Sequence, residues 1–300
     1  MATVPPLLCC VFPGILLRMN SFEQSRWRTT MTEKNMTLAG IACALLLVGC
    51  GPSAPEAPAA PESAPAEPAA APAAPAFDLA ASLAGGSRSD EDRARDAGRK
   101  PVEVLALLGV EPGMAVIDLM AAGGWYSEVL SHAVGAEGSV TAQNPPFILG
   151  FRDGAYGVAL DERIGNRLTN VTRLDSTWAE LGASGTQYDV AMSALNFHDA
   201  YYLQSPEAAA ELAAAVFTVL KPGGVFGVID HAGNPDGENN NLHRIDKALV
   251  IEIVTAAGFE VDADSNSLAN PGDDHTQGVF SDGIRGKTDR FLLKLRKPAM

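Results

Sequence analysis

The stretch that most constrains the fold is residues 115–130, AVIDLMAAGGWYSEVL. Three apolar residues, Ala115, Val116 and Ile117, lead to an acid, Asp118. Small and apolar residues follow as far as Gly124, and then Trp125, Glu128 and Val129 recur at helical spacing. The pattern predicts a buried strand, a tight turn and the start of a helix. Adjacent Gly123 and Gly124 let a ligand approach the backbone without meeting a Cβ, and free amides at a helix start favour electron-rich groups. A dinucleotide site of the G-x-G-x-x-G kind is disfavoured, because the next glycine after Gly124 is Gly135, far along the helix.

The 300 residues, 47% of them hydrophobic, give room for one sizeable domain with appendages. A formal net charge of -14 argues against nucleic acid or an anionic membrane face as the main partner, since both attract basic patches. Cys9, Cys10, Cys43 and Cys50 all precede residue 51, so the remainder holds no disulfide, thiolate metal site or cysteine nucleophile. Residues 31–50, MTEKNMTLAGIACALLLVGC, start polar with Lys34, run apolar from Leu38 to Val48 and close on Gly49 and Cys50. That is too short for a transmembrane helix and is laid out as a secretory signal. Residues 1–30 precede the expected initiator, Met31 or Met36, and carry no weight in the fold reading. Residues 51–76 are almost entirely Ala, Pro and Glu. Repeated prolines forbid regular backbone hydrogen bonding and nothing large and apolar is present to bury, so an extended tether is expected. The domain proper is expected over residues 77–300.

Within it, residues 89–99 read as a charged helix capped by Ser89, and Pro101 opens a second helix ended by Glu111-Pro112-Gly113. Strands are expected at 115–118, 138–143, 171–175, 188–194, 225–230, 259–262 and 290–295. Helices are expected to follow the turn to about Val134, around 158–168, at 206–220 and at 242–257, with Lys221-Pro222-Gly223-Gly224 turning the chain into the fifth strand. Strands alternating with helices predict an α/β fold, a parallel sheet covered on both faces. Ligands of such sheets sit beyond the carboxyl ends of the strands, where strand order reverses. The residues there are Asp118, Gln143, Asn144, Asp175, Asn196 to Asp199, Asp230 and His231.

Several segments together carry a family resemblance: the acid-plus-glycine turn at Asp118 to Gly124, LKPGGVFGVID through the fifth strand, RARDAGRKPVEVL, GGWYSEVL, LNFHDAYY, DHAG, LHRID and TDRFLLKLRKP. Over residues 77–298 the chain resembles the class I S-adenosylmethionine-dependent methyltransferases, in particular a bacterial group of predicted methyltransferases that often carry secretion signals. The ending Leu47-Val48-Gly49-Cys50 resembles a lipobox, whose cysteine becomes lipid-modified and begins the mature chain; Gly51 beside it resembles the pattern sent to the outer membrane. A plain buried or membrane helix is the alternative. The resemblance implies a Rossmann-like, seven-stranded, mostly parallel sheet with helices on both faces, a bound S-adenosyl-L-methionine, a small-molecule acceptor, and a periplasmic domain touching the membrane only through lipid on Cys50.

Residue by residue, Asp118 and Gly124 match the family's turn, while Met120 and Ala122 stand where its first two glycines would be. Gly123, Trp125 and Asn196 adjoin the same turn or its neighbouring loop. At the end of the second strand Gln143 and Asn144 replace the family's ribose acid, and Asp175 falls where an acid faces the adenine. Amides hydrogen-bond hydroxyls less strongly than a carboxylate does. For a proton-bearing acceptor a base is needed. His198, followed by Asp199, is the first candidate, His231 the second and His243 the third. A histidine metal site needs three or four convergent ligands. His198, His231, His243 and His275 reach that number only by tertiary convergence, so no metal is expected. Two rival readings are a non-catalytic binding domain that keeps the fold, and an exported hydrolase. The second lacks a G-x-S-x-G elbow, since Ser193 lies in AMSAL.

Overall fold

The computed structural model describes residues 77–299 apart from Gly86 and Asn166. The expected signal, the lipid-bearing Cys50 and the tether lie outside the described residues. Among the described residues no helix is long and apolar enough to cross a membrane.

Seven strands form one sheet: β1 Ala115–Leu119, β2 Ser139–Asn144, β3 Val171–Asp175, β4 Tyr188–Ala194, β5 Leu220–His231, β6 Glu260–Ser265 and β7 Arg290–Arg296. Their order is β3-β2-β1-β4-β5-β7-β6. The first five run parallel and β7 lies antiparallel between β5 and β6. Strand order reverses between β1 and β4, in register from Val116↔Val190 to Leu119↔Ser193.

Burial on both faces explains why β1 and β4 read as apolar runs. Successive side chains of β1 go to opposite cores: Val116 joins Leu105, Val129 and Leu160 on one face, and Ile117 joins Leu212, Val216 and Val250 on the other. The first of these layers is closed by helices Pro101–Leu108, Trp125–Val134 and Ala155–Ile164, the second by Pro206–Val219 and Lys247–Ala256. A Cβ at Gly227 in β5 would lie 2.5 Å from Leu108 Cδ1, so that glycine sets how closely the helix Pro101–Leu108 can approach the sheet. At the outer edge β6 is mostly exposed, and its acids Asp262 and Asp264 pair with Arg296 and Lys247, a charged edge that resists further strand pairing.

Three elements differ from expectation, the first being the helix expected over 89–99, which is split at Arg95 into Asp90–Ala94 and Asp96–Arg99. The Lys221-Pro222-Gly223-Gly224 segment is an irregularity inside a longer β5, since partners jump from Tyr188↔Leu220 to Val190↔Val225. The helix expected over 242–257 is two helices, Asn239–Leu242 and Lys247–Ala256, because His243 has a left-handed φ of 53° and Ile245 bridges Ala232. Behind the break stands Arg244, whose fully buried guanidinium bonds Ala232 O, Gln277 O and Asp273. Those tertiary bonds outweigh local helix propensity.

Candidate functional site

A cleft of about 1090 Å³ opens beyond the carboxyl ends of β1, β4 and β5, at the point of strand reversal. One wall is the turn after β1. Met120, Ala122 and Gly124 all have left-handed backbone, with φ of 50°, 49° and 78°. The turn therefore keeps a conformation that favours glycine even where the residues are methionine and alanine. It is fastened from several sides. Arg163 Nε donates to Gly123 O at 2.7 Å, and its guanidinium also pairs with Asp92 at 2.7 Å and with buried Glu128. Asn196, after β4, takes a hydrogen bond from Ser193 Oγ at 2.7 Å and donates to Met120 O at 2.8 Å.

Asp118 lies under the turn with 2% exposure and accepts from Ser127 Oγ at 2.6 Å. Burial pushes its carboxyl up to about 7, against the pull of that hydroxyl and of Arg99. Trp125 lies against the cleft with its Nε1 bonded to Asp92 O, and the Arg99 guanidinium stacks 4.5 Å over its ring.

Four residues expected at the cofactor, Gln143, Asn144, Asp175 and Gly124, do not line the cleft. Gln143 is fully buried: its Oε1 accepts from Met120 N and its Nε2 donates to Ser176 O at 2.8 Å. Asn144, equally buried, brackets Ala122 by accepting from its N at 2.8 Å and donating to its O at 3.2 Å. Both amides hold the turn in its left-handed form, which is the physical reason they are unavailable to a ribose. Asp175 is exposed and chelated by Arg173 at 2.9 and 2.7 Å. Of the expected cofactor residues, Asp118, Met120, Ala122, Gly123, Trp125 and Asn196 line the cleft, while Gly124 is packed behind it on Leu160.

The opposite wall brings His198, His231 and His243 together. His198 sits on the single turn Phe197–Asp199, which passes directly into a π-helical turn, Ala200–Gln204. Wide turns of this kind recur at functional sites. Asp230, at the end of β5 and fully buried, organises the group: it accepts from His198 Nδ1 at 2.8 Å, His198 N at 2.9 Å and His231 N at 2.7 Å. His198 Nε2 faces Asp199 Oδ1 at 3.2 Å, and His243 Nδ1 lies 3.7 Å from the same oxygen. Burial lowers the basicity of His198, but Asp230 and Asp199 outweigh it and hold the imidazole at about 10. His198 thus holds its proton more tightly than a free imidazole does, whereas the expected role was a free base. His231 goes the other way: burial, Arg290 and the His198 charge keep it neutral, with Nδ1 bonded to Thr288 Oγ1 at 2.7 Å. His275 pairs with Asp289 and is not among the residues lining the cleft. Ser193 is buried and its hydroxyl is committed to Asn196, which removes it as a nucleophile.

Sequence reasoning missed the irregular loop 266–289, which supplies Val279, Phe280 and Arg285 to the rim. It also missed Arg99 and Arg290 as lining residues; the only sequence signal was a long stretch without periodicity between two strands, which is uncommon in compact domains.

No protein-family model matches this chain, and no curated protein does. Solved structures with a similar fold include a protein from Galdieria sulphuraria assigned as a sarcosine dimethylglycine methyltransferase, at 16% identity and a TM-score of 0.51, covering 69% of this chain and 88% of that one. A second is the [4+2]-cyclase SpnF, at 15% identity and a TM-score of 0.50, covering 72% and 86%. A SAM dependent methyltransferase from Aquifex aeolicus is 21% identical with a TM-score of 0.46, covering 74% and 99%. The chain thus has the class I methyltransferase fold, and its cleft occupies the ligand end of that fold.

Proposed function

We propose that the cleft binds S-adenosylmethionine and transfers its methyl group to a small-molecule acceptor. The observation that carries this reading is the cleft's size and place. At about 1090 Å³ it exceeds the roughly 300–1,000 Å³ of ordinary single-ligand pockets, and it runs from the glycine turn to the histidines. Donor and acceptor can therefore lie side by side. The donor would rest against Asp118, Met120, Ala122, Gly123, Trp125 and Asn196, with the acceptor toward His198, His231 and His243. In the transfer the acceptor's lone pair forms a bond to the methyl carbon while the carbon–sulfur bond breaks and its pair stays on sulfur. Holding the two in line supplies much of the rate, and apolar walls favour the dispersal of the sulfonium charge. Neutral His231 is the better placed proton acceptor, and His198, held by Asp230, orients the acceptor.

A second reading keeps the fold as a binding domain without methyl transfer. It is favoured by Gln143 and Asn144 being spent on the turn and by Asp175 being paired to Arg173 away from the cleft. Export and a lipid anchor on Cys50 belong to the proposal as well, tested by whether Cys50→Ser abolishes labelling with a clickable fatty acid. Titration calorimetry of the chain with S-adenosylmethionine decides between the readings: saturable heat supports methyl transfer, and no heat at millimolar ligand with an intact fold leaves the binding domain.

A further inference from the structure

The histidines do more than offer proton acceptors: we propose that His198 Nε2, Asp199 Oδ1 and His243 Nδ1 form a binding site for a divalent transition metal of the zinc type. The three atoms lie within 4.8 Å of one another, with edges of 3.2 Å from His198 to Asp199 and 3.7 Å from His243 to Asp199. An ion with tetrahedral ligands at about 2.0–2.2 Å needs edges of roughly 3.3–3.6 Å. Both edges to Asp199 therefore lie within a few tenths of an ångström of that geometry. This departs from the sequence expectation of no metal, because only the folded chain brings residue 243 beside residues 198 and 199.

Two further observations point to an ion. Asp199 Oδ1 is buried and accepts no hydrogen bond of adequate geometry among the described residues. The nearest charge is the His198 ring at 3.2 Å, and a metal ion bound there takes the place of the proton on Nε2, as metal binding at imidazoles generally does. The second is the support behind His198, whose far nitrogen is tied to buried Asp230 at 2.8 Å. A carboxylate on the far side of a ligating imidazole fixes its tautomer and aims the other nitrogen at the ion. Asp230 is itself held by the two amides of His198 and His231, so the aim is rigid. Two imidazoles and one carboxylate without sulfur suit zinc, iron(II) or manganese better than calcium or magnesium.

All three ligands line the cleft, so the remaining coordination positions face its interior. Three protein ligands with an open face are the arrangement of catalytic rather than structural zinc. The occupant of the open face is a hydroxyl or thiol of the acceptor, a step that rests on the methyl-transfer reading. Bound to the ion, that group loses its proton to His231 at a lower pKa, and its lone pair then takes the methyl as the carbon–sulfur pair returns to sulfur.

The test uses the chain stripped with a chelator and titrated with Zn²⁺ or Co²⁺ alone, with bound metal measured by equilibrium dialysis and the visible spectrum of cobalt. One equivalent is expected in the wild type. His243→Ala and Asp199→Asn each weaken it by about tenfold or more. His243 is partly exposed, so its variant should keep the wild-type circular dichroism. Thiolate binding at the cysteines before residue 51 would survive both substitutions, and such a result overturns the site, as does absence of binding in the wild type. Calorimetry with S-adenosylmethionine on the same samples separates the two ideas. Metal uptake without donor heat supports the site and removes the methyl-transfer reading, whereas donor heat without metal uptake overturns the site alone.

Discussion

At Gly124 two independent penalties fall on one substitution. Its φ is 78°, and a Cβ there would lie 2.6 Å from Leu160 Cδ1. Left-handed backbone costs an L-residue about 1–2 kcal/mol before any clash is counted. Gly124→Ala should therefore destabilise the fold by roughly 2–3 kcal/mol. Gly123→Ala, whose Cβ meets only Ala159 at an ordinary 3.4 Å, should change stability by less than about 0.5 kcal/mol. Urea midpoints of the two variants check this, and equal losses would mean that Gly124's backbone is not what it is built for. Asp118 offers a test of a different kind. Its folded carboxyl titrates near 7 and its unfolded value is near 3.8, so the folded state holds the proton more tightly. That contribution is complete below the unfolded value and is lost as pH rises toward 7, at about 1.4 kcal/mol per unit of pKa difference. Asp118→Asn, which mimics the protonated group, should thus become more stable relative to wild type between pH 5 and pH 8, to be followed by denaturant unfolding at each pH. A constant difference would place the charge in water.

Among elements, the strands were legible because β1 and β4 are buried on both faces and must be apolar runs, and the helix starts because Ser89, Pro101 and Pro206 sit at their caps. The cofactor side of the site was legible only in part. Met120 and Ala122 occupy glycine-like conformations that no residue type announces, and the side chains of Gln143 and Asn144 turn back onto that turn rather than outward. The break at His243 was not legible, and the loop 266–289 only as a long stretch without periodicity, since both depend on Arg244 and Asp273, which meet 29 residues apart. This pair is buried at 0% and 1% exposure, and removing one member of a buried pair strands the other's charge. Arg244→Ala should cost about 3–5 kcal/mol. It should also free Val279 and Phe280 from the rim, because Val279 N is held by Leu242 O beside the same anchor. Hydrogen exchange over 266–289 that stays at the wild-type rate in this variant would separate the loop from the pair.

The whole molecule carries a net charge of -14, a surplus that argues against nucleic acid or an anionic membrane face as the main partner. Inside the cleft the balance is reversed. Arg99, Arg152, Arg285 and Arg290 line it, and none forms an ion pair with a carboxylate among the described residues. Arg290 is close enough to Arg99 to lower its proton affinity, and both arginines lower that of His231. Guanidinium groups without a carboxylate partner in a concave wall favour a ligand that brings its own carboxylate or phosphate. The overall negative field meanwhile slows the approach of any anion from solution, so selection of anions is local and short-ranged. If the donor lies as proposed, S-adenosylhomocysteine, which has a carboxylate, should bind more tightly than methylthioadenosine, which lacks one. A charge-assisted hydrogen bond of about 1.5–3 kcal/mol corresponds to roughly ten- to a hundredfold. Because Arg152 and Arg285 are exposed, the ratio should narrow as salt is raised. Competition binding across a salt series measures it, and a ratio near unity at low salt would mean that these arginines face solvent rather than ligand.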